Sequence, residues 1–453
     1  MSITNRKRLP PETFRLDVER MRRGWYSDKY FLNLSQVLTA LAREGYRYPH
    51  KTAARLNLGE VNNSGLEIGN IEVEMQWFTR RRPRALVVGV DKALAILQTC
   101  TGYFNDQGEW VDTHQNLEIW AVHDGTWVSY DGNPTHACPV LKARGRYRDF
   151  TMLETPTLGV LTRCTRVATN VYEVLAAANG KPVLFFPARF DTPEVQASDG
   201  YSYDIAVQAF NAANGHTLVP LVSTDAQGDW WGGAGGGTTA HAIIACFLGD
   251  TAEMMVQFAS VLPVEISRIA LVDFNNDCVG DTMAVMDAMF DRYLKLHRSG
   301  KRLEARKFKL FGVRPDTSGT LRDVSVEPLG VPEADLGVCP RLVVQLRSAI
   351  DSAWQRWGLQ NPEEIAMAKQ WCRDVAITVT GGFTPDRIQL FEREGVPVGA
   401  YGVGSWLFSN CSDHGTNADF TADVVRVKIK NEWHDIAKVG RRANDNPDLV
   451  RVQ

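Results

Sequence analysis

The apolar rhythm of this chain changes once, and the change divides it. Up to about residue 140, apolar positions alternate at a period of two or recur at helical spacing in short separate stretches. Residues 25–41 (WYSDKYFLNLSQVLTAL) repeat apolar side chains at helical spacing behind a candidate cap at Ser27 or Asp28, which predicts a first helix with Tyr30 and Phe31 on its core face. Residues 66–76 (LEIGNIEVEMQ) alternate apolar and acidic positions, the pattern of a half-exposed strand. An apolar strand over 85–90 follows, and the two are expected to form a hairpin. A helix over 92–98 and further strands come next, among them LEIWAVHDGTWV at 117–128 with HDGT as a turn. Residues 1–140 therefore read as a small antiparallel α+β domain.

From Tyr147 onward, helices and short apolar strands alternate at wider spacing, the rhythm of βα units. The predicted strands are KPVLFFPAR, HTLVPLVS, RIALVDF, KFKLFGVRPD, VAITVTGG and GAYGVGSWL, with helices between them. This is an α/β pattern, and it predicts an irregular parallel α/β barrel over 141–410. The extension over 411–453 carries VVRVKIKNEWHDIAK, expected to pair back as a strand onto the first domain. In such barrels the functional groups sit just after the C-terminal ends of the strands.

Those strand ends hold the chemistry-bearing motifs. Residues 232–244 (GGAGGGTTAHAII) form a glycine-rich loop that would bring His241 to a helix N-terminus, where backbone N–H groups attract an anion. A histidine there can serve as base, phosphate partner or nucleophile. A flexible linker before a buried helix is the competing reading. In FPAR, Arg189 can grip a carboxylate bidentately or form a structural ion pair. Asp273 in VDFNND suits a metal, a ribose hydroxyl or a helix cap. Arg314 and Asp316 flank a proline and suit either a sugar phosphate or their own salt bridge. Gly381 with Gly382, and Gly402 with Gly404, make two glycine turns on successive strands, an arrangement that holds one phosphate in many barrels.

Composition adds bounds. A formal net charge of -3, with 23% charged and 44% hydrophobic residues, is ordinary for a soluble globular protein and points to neither nucleic acid nor a membrane surface. The basic run Arg80, Arg81, Arg82 and Arg84 is expected to be a solvated turn, with phosphate recruitment as the alternative. Eight scattered cysteines show no CxxC pair, so a zinc knuckle or disulfide framework is not expected. With no apolar run near membrane-spanning length, a reducing, cytoplasmic setting is the expectation.

The order DKYF, FPAR, GTTAH, VDFNND, GVRPD, TGG and GVG, over about residues 24–408, resembles the nicotinate phosphoribosyltransferase family of type II phosphoribosyltransferases. That resemblance implies a homodimeric enzyme that couples ATP hydrolysis to condensation of nicotinate with phosphoribosyl pyrophosphate, with Mg²⁺. It implies that His241 is phosphorylated and that Phe186 and Arg189 hold the pyridine ring and its carboxylate. Tyr30, preceded by Asp28, would close the base site of the neighbouring subunit. Arg314, Asp316 and Asp273 are implied at the catalytic centre, Thr238 at the substrate, and Gly381, Gly382, Gly402, Gly404 and Ser405 at the phosphate. The chain departs from the family pattern at Pro187, at DTSG (residues 316–319) and at DFNND (residues 273–277). Asp225 stands where the nicotinamide-using relative carries an amide acceptor, so a nicotinamide phosphoribosyltransferase is the rival enzyme. A catalytically silent barrel that senses a nucleotide is the rival from another class. Trp230 and Trp231 would either cover the base site or pack.

Overall fold

The computed structural model describes residues 7–50 and 61–453. The chain forms two compact units, one of Met1–Tyr172, Tyr201–Gly215 and Ser409–Gln453, the other of Glu173–Gly200 and His216–Phe408. The first unit thus extends past the change of rhythm near Tyr147.

In the first unit the predicted opening helix is Lys29–Arg43, burying Phe31, Ser35 and Leu38. Asp28 occupies its N-cap position without bonding the helix; its carboxylate instead accepts from Thr155 Oγ1 at 3.1 Å and from the Tyr30 hydroxyl at 3.2 Å. Tyr30 does not join the core, being 63% exposed. Strands β1 (Glu72–Thr79), β2 (Arg84–Val87), β3 (Gly102–Phe104), β4 (Trp110–Asp112), β5 (Glu118–Ala121), β6 (Thr126–Ser129) and β7 (Leu141–Arg146) follow.

The expected hairpin between β1 and β2 does not form: β1 pairs with β7, and β2 pairs with β6 in a separate ribbon. Nor is β1 half-exposed, since seven of its eight residues are buried. Its acidic positions face cations instead of water. Glu74, 1% exposed, receives Arg144 Nε at 2.6 Å and Arg426 Nη1 at 3.0 Å, the pairing a buried carboxylate requires. The basic run is likewise not wholly solvated. Arg81 is buried and donates to Asn170 Oδ1 at 2.7 Å and to the Thr416 carbonyl at 2.9 Å, because a guanidinium can satisfy several buried acceptors at once.

The second unit is a curled parallel sheet of β8 (Val183–Phe185), β9 (Leu221–Val222), β10 (Ile269–Leu271), β11 (Gly312–Arg314), β12 (Ala376–Val379) and β13 (Ala400–Val403). The strand order is β10-β11-β12-β13-β8-β9, each neighbouring pair parallel. Helices whose apolar faces are buried separate the strands in sequence; Cys278–Arg298, for example, buries Met286, Met289 and Phe290, each contributing about 1.5–3 kcal/mol. Asp277 caps that helix, accepting from the Gly280 amide at 2.8 Å, so Asp273 is not needed as its cap. The irregular barrel expected from the βα rhythm is borne out.

The chain then returns to the first unit through β14 (Phe420–Ile429), β15 (Glu432–Asp435) and β16 (Val450–Arg451). β14 pairs antiparallel with β1, as expected of the tail, and its Arg426 supplies one of the cations that compensate Glu74. Among the described residues no helix is long and apolar enough to cross a membrane. All eight cysteines are free thiols.

Candidate active site

The two edge strands of the parallel sheet, β9 and β10, do not pair with each other. The glycine-rich loop runs along both edges. The Gly236 amide donates to the Val222 carbonyl of β9 at 2.8 Å. Three residues later, Thr239 Oγ1 donates to the Ile269 carbonyl at 3.1 Å and accepts from the Leu271 amide at 3.0 Å, so one side chain makes the two bonds a neighbouring strand would make to β10. Glycine suits this path: Gly232 has φ +81°, and a Cβ on Gly235 would stand 2.7 Å from the Thr224 backbone. Asp225 Oδ1 ties the loop down from the other side by accepting the Gly235 amide at 2.8 Å. Trp230 and Trp231 pack beside it: Trp230 is buried, and Trp231 donates to the Gln227 carbonyl at 2.7 Å with its indole against Gly233.

The loop ends at the short helix His241–Cys246, with His241 its first residue. His241 Nε2 lies 3.0 Å from both carboxylate oxygens of Asp273, which follows β10. Burial raises the Asp273 carboxyl above the usual carboxylate range and nearby Asp316 adds to this, while His241 opposes it. The pair thus fixes a half-exposed imidazole with a nearly buried carboxylate behind it.

Arg314, at the end of β11, points back at the loop. Its Nη2 donates to the Thr239 carbonyl at 2.9 Å and its Nη1 to Thr380 Oγ1 at 3.1 Å. Thr380 in turn donates to Asp316 Oδ1 at 2.6 Å, and the Arg314–Asp316 ion pair is longer, 3.6 Å. Arg314 and Asp316 are therefore joined mainly through a threonine, and Arg314 braces the loop two residues before His241.

After β8 the chain makes a tight turn in which the Phe190 amide donates to the Pro187 carbonyl at 2.9 Å. This leaves Arg189 exposed, and among the described residues it has no ion pair. The Phe186 ring lies on Gly402, where a Cβ would come within 3.0 Å of it, and the Phe190 ring lies on Gly404, where a Cβ would come within 2.6 Å. Gly381 (φ +98°) and Gly382 (φ +68°) follow β12, their carbonyls accepting from Arg387 Nη1 at 2.6 and 3.4 Å. Their amides donate to no group among the described residues. Ser405 opens a 3-10 turn after β13, and Thr238 Oγ1 donates to the Thr239 carbonyl at 3.3 Å.

The second unit therefore brings His241, Asp273, Arg314, Asp316, Phe186, Arg189 and both glycine sets to the C-terminal ends of one sheet. Asp28 and Tyr30 belong to the first unit. Thr239, Thr380 and Phe190 were not among the sequence candidates. Their signals were present all the same, since each directly adjoins a motif: Thr380 precedes the GG pair, Phe190 follows Arg189, and Thr239 lies two residues before His241.

The described strands thus form a curled six-stranded parallel sheet with glycine turns at two strand ends, beside a unit built on an antiparallel sheet. Residues 52–165 match the family model described as quinolinate phosphoribosyl transferase, N-terminal domain. The solved nicotinate-nucleotide pyrophosphorylase from Pyrococcus furiosus is similar over 94% of this chain and 80% of its own, at 22% identity and a TM-score of 0.60. Human nicotinic acid phosphoribosyltransferase aligns over 88% of this chain and 74% of its own, at 14% identity and a TM-score of 0.49. NadC from Streptococcus pyogenes aligns over 89% and 98%, at 12% identity and a TM-score of 0.44. No curated protein sequence matches at a significant level. The fold is that of the solved nicotinate-nucleotide pyrophosphorylase, in line with what the motif order implied.

Proposed function

We propose that this chain is a nicotinate phosphoribosyltransferase, forming nicotinate mononucleotide and pyrophosphate from nicotinate and phosphoribosyl pyrophosphate with ATP hydrolysis coupled through His241. One juxtaposition carries the reading: an exposed guanidinium without an ion pair among the described residues, Arg189, three residues after an aromatic ring, Phe186, that packs against Gly402. A planar fork and an aromatic ring at the end of one strand suit a pyridine ring bearing a carboxylate. Arg314 is committed to Thr239 and Thr380, so Arg189 is the cation available to the base, which favours a monocarboxylate over the dicarboxylate quinolinate. Asp225 gives an oxygen to the loop, which favours nicotinate over nicotinamide.

The catalytic work is positioning and charge control around an oxocarbenium-like sugar. The free amides of Gly381 and Gly382 receive the 5′-phosphate, Phe186 and Arg189 align the ring nitrogen with the anomeric carbon, and pyrophosphate departs from the opposite face. His241 donates its Nε2–H to Asp273, which leaves the lone pair on Nδ1 to attack the γ-phosphorus of ATP as the bond to the bridging oxygen breaks and ADP departs. The carboxylate stabilises the positive charge that grows on the imidazole during that transfer. Among the described residues no group of three or more His, Cys, Asp or Glu side chains gathers to cage a metal. Asp273 and Asp316 fit Mg²⁺ in its usual mode, one or two carboxylates beside substrate phosphates, where it would neutralise pyrophosphate charge. Tyr30, exposed on the first unit, would close the base site of a second copy in a homodimer.

The phosphorylation step has its own test. Incubation with γ-labelled ATP is expected to give one acid-labile phosphoryl group per chain, absent in His241→Ala and formed roughly a hundredfold more slowly in Asp273→Asn. A native protein that takes no label would remove ATP coupling from the account and leave the silent nucleotide-sensing barrel as the better reading.

A further inference from the structure

The first unit carries a cavity of about 440 Å³ whose lining includes Arg22, Arg23 and Arg43 but no aspartate or glutamate. The chain as a whole holds 50 basic and 53 acidic residues, so three arginines without a lining acid is a local departure. Two of these guanidinium groups lie over rings, Arg22 at 4.6 Å from the Trp110 centroid and Arg23 at 4.9 Å from that of Phe104. Stacking holds a guanidinium flat and leaves its in-plane N–H edges for acceptors. Arg22 directs Nε and Nη2 to the Thr99 carbonyl, at 3.0 and 2.7 Å, leaving Nη1. Arg23 has a carboxylate at 3.5 Å in Glu19 and Arg43 one at 2.7 Å in Asp106, both pairs well exposed and so weakly held.

Trp110 also lines the cavity, with its ring under the Arg22 guanidinium. Behind the wall, the Arg148 carbonyl accepts from the lining residue Ser35 at 3.4 Å, and the Arg148 guanidinium stands over Tyr103, another lining residue, at 4.8 Å. Arg148 is itself paired with the buried Asp149 at 3.6 Å. The remaining wall, with Leu32, Phe104 and Met152, is apolar.

We propose that this cavity binds a mononucleotide, its phosphate held by Arg22, Arg23 and Arg43 and its ring against the Leu32, Phe104 and Met152 wall. Guanidinium forks match phosphate oxygens in geometry and charge, and the volume falls in the range of small-molecule sites. All of its lining residues belong to the first unit, and the proposal does not rest on the activity assigned to the second. It lies on the face of helix Lys29–Arg43 that carries Leu32, Gln36 and Arg43, whereas Tyr30 lies on another.

Calorimetric titration of the full chain with 5′-AMP tests this. The expected result is saturable binding that weakens at least about tenfold in Arg43→Glu and in Thr39→Trp, and is retained in Arg189→Ala. The first variant reverses a charge on an exposed residue and the second fills the cavity without touching an arginine; matching melting curves establish that both are folded. Inorganic phosphate is expected to compete at least about tenfold more weakly than AMP, because it lacks the ring. The proposal is overturned if the native chain binds no AMP up to about 1 mM. Binding that survives both pocket variants but vanishes in Arg189→Ala, or phosphate that competes as well as AMP, overturns it equally. None of these outcomes depends on phosphoribosyl transfer, so failure here and failure of the barrel reading are separate results.

Discussion

Gly381 with Gly382, and Gly402 with Gly404, occupy equivalent places at the ends of neighbouring strands yet are glycine for different reasons. The first pair has φ of +98° and +68°, and a Cβ there would meet nothing closer than 3.5 Å. What it requires is backbone conformation, and its two amides have no partner among the described residues. The second pair has ordinary φ values but no room: a Cβ on Gly402 would be 2.5 Å from Thr380 and 3.0 Å from the Phe186 ring, and one on Gly404 would be 2.6 Å from the Phe190 ring. The first turn has the form of an anion cradle, whereas the second is the floor on which two aromatic rings lie. A glycine motif read by spacing alone gives both turns the same task, and the geometry separates them.

Three substitutions sharpen that separation. Gly402→Val is expected to have the largest effect, lowering kcat/KM for the base roughly a hundredfold by displacing Phe186 and Thr380. It should also lower stability by about 1–3 kcal/mol, measurable by chemical denaturation. Gly404→Ala should raise KM for the base about three- to tenfold through the Phe190 ring while leaving KM for phosphoribosyl pyrophosphate unchanged. Gly382→Ala should do the reverse at smaller cost, about 1 kcal/mol of stability from a left-handed alanine and a rise in KM confined to phosphoribosyl pyrophosphate. Should Gly404→Ala affect the phosphate substrate and spare the base, the two turns would have to exchange roles.

The barrel was legible because parallel strands buried on both faces announce themselves as short apolar runs, and each run ended in a motif. RIALVDF, VAITVT and GAYGVG all fell on strands, and the residues after them arrived at one end of the sheet. The antiparallel unit was less legible. The alternation of β1 signals a two-faced strand but says nothing of what the polar face meets, and here it meets Arg144 and Arg426 from strands 70 and 352 positions away. The partners of β1 were equally hidden, since β14 lies at the far end of the chain. At the site, side-chain type was readable and commitment was not. Arg189 and Arg314 look alike in sequence, but Arg314 braces Thr239 and Thr380 while Arg189 stands exposed. Only the positions of one carbonyl and one hydroxyl oxygen distinguish the bracing arginine from the exposed one.

The central claim is that Arg189 and Phe186 select one aromatic monocarboxylate. Turnover of nicotinate, nicotinamide and quinolinate at equal concentration, with phosphoribosyl pyrophosphate and with or without ATP, tests it most directly. The account predicts that nicotinate is used at least about a hundredfold better than either competitor, that ATP raises its kcat/KM, and that Arg189→Ala removes the preference. Preferred turnover of quinolinate or nicotinamide, or a nicotinate preference that survives Arg189→Ala, would contradict it.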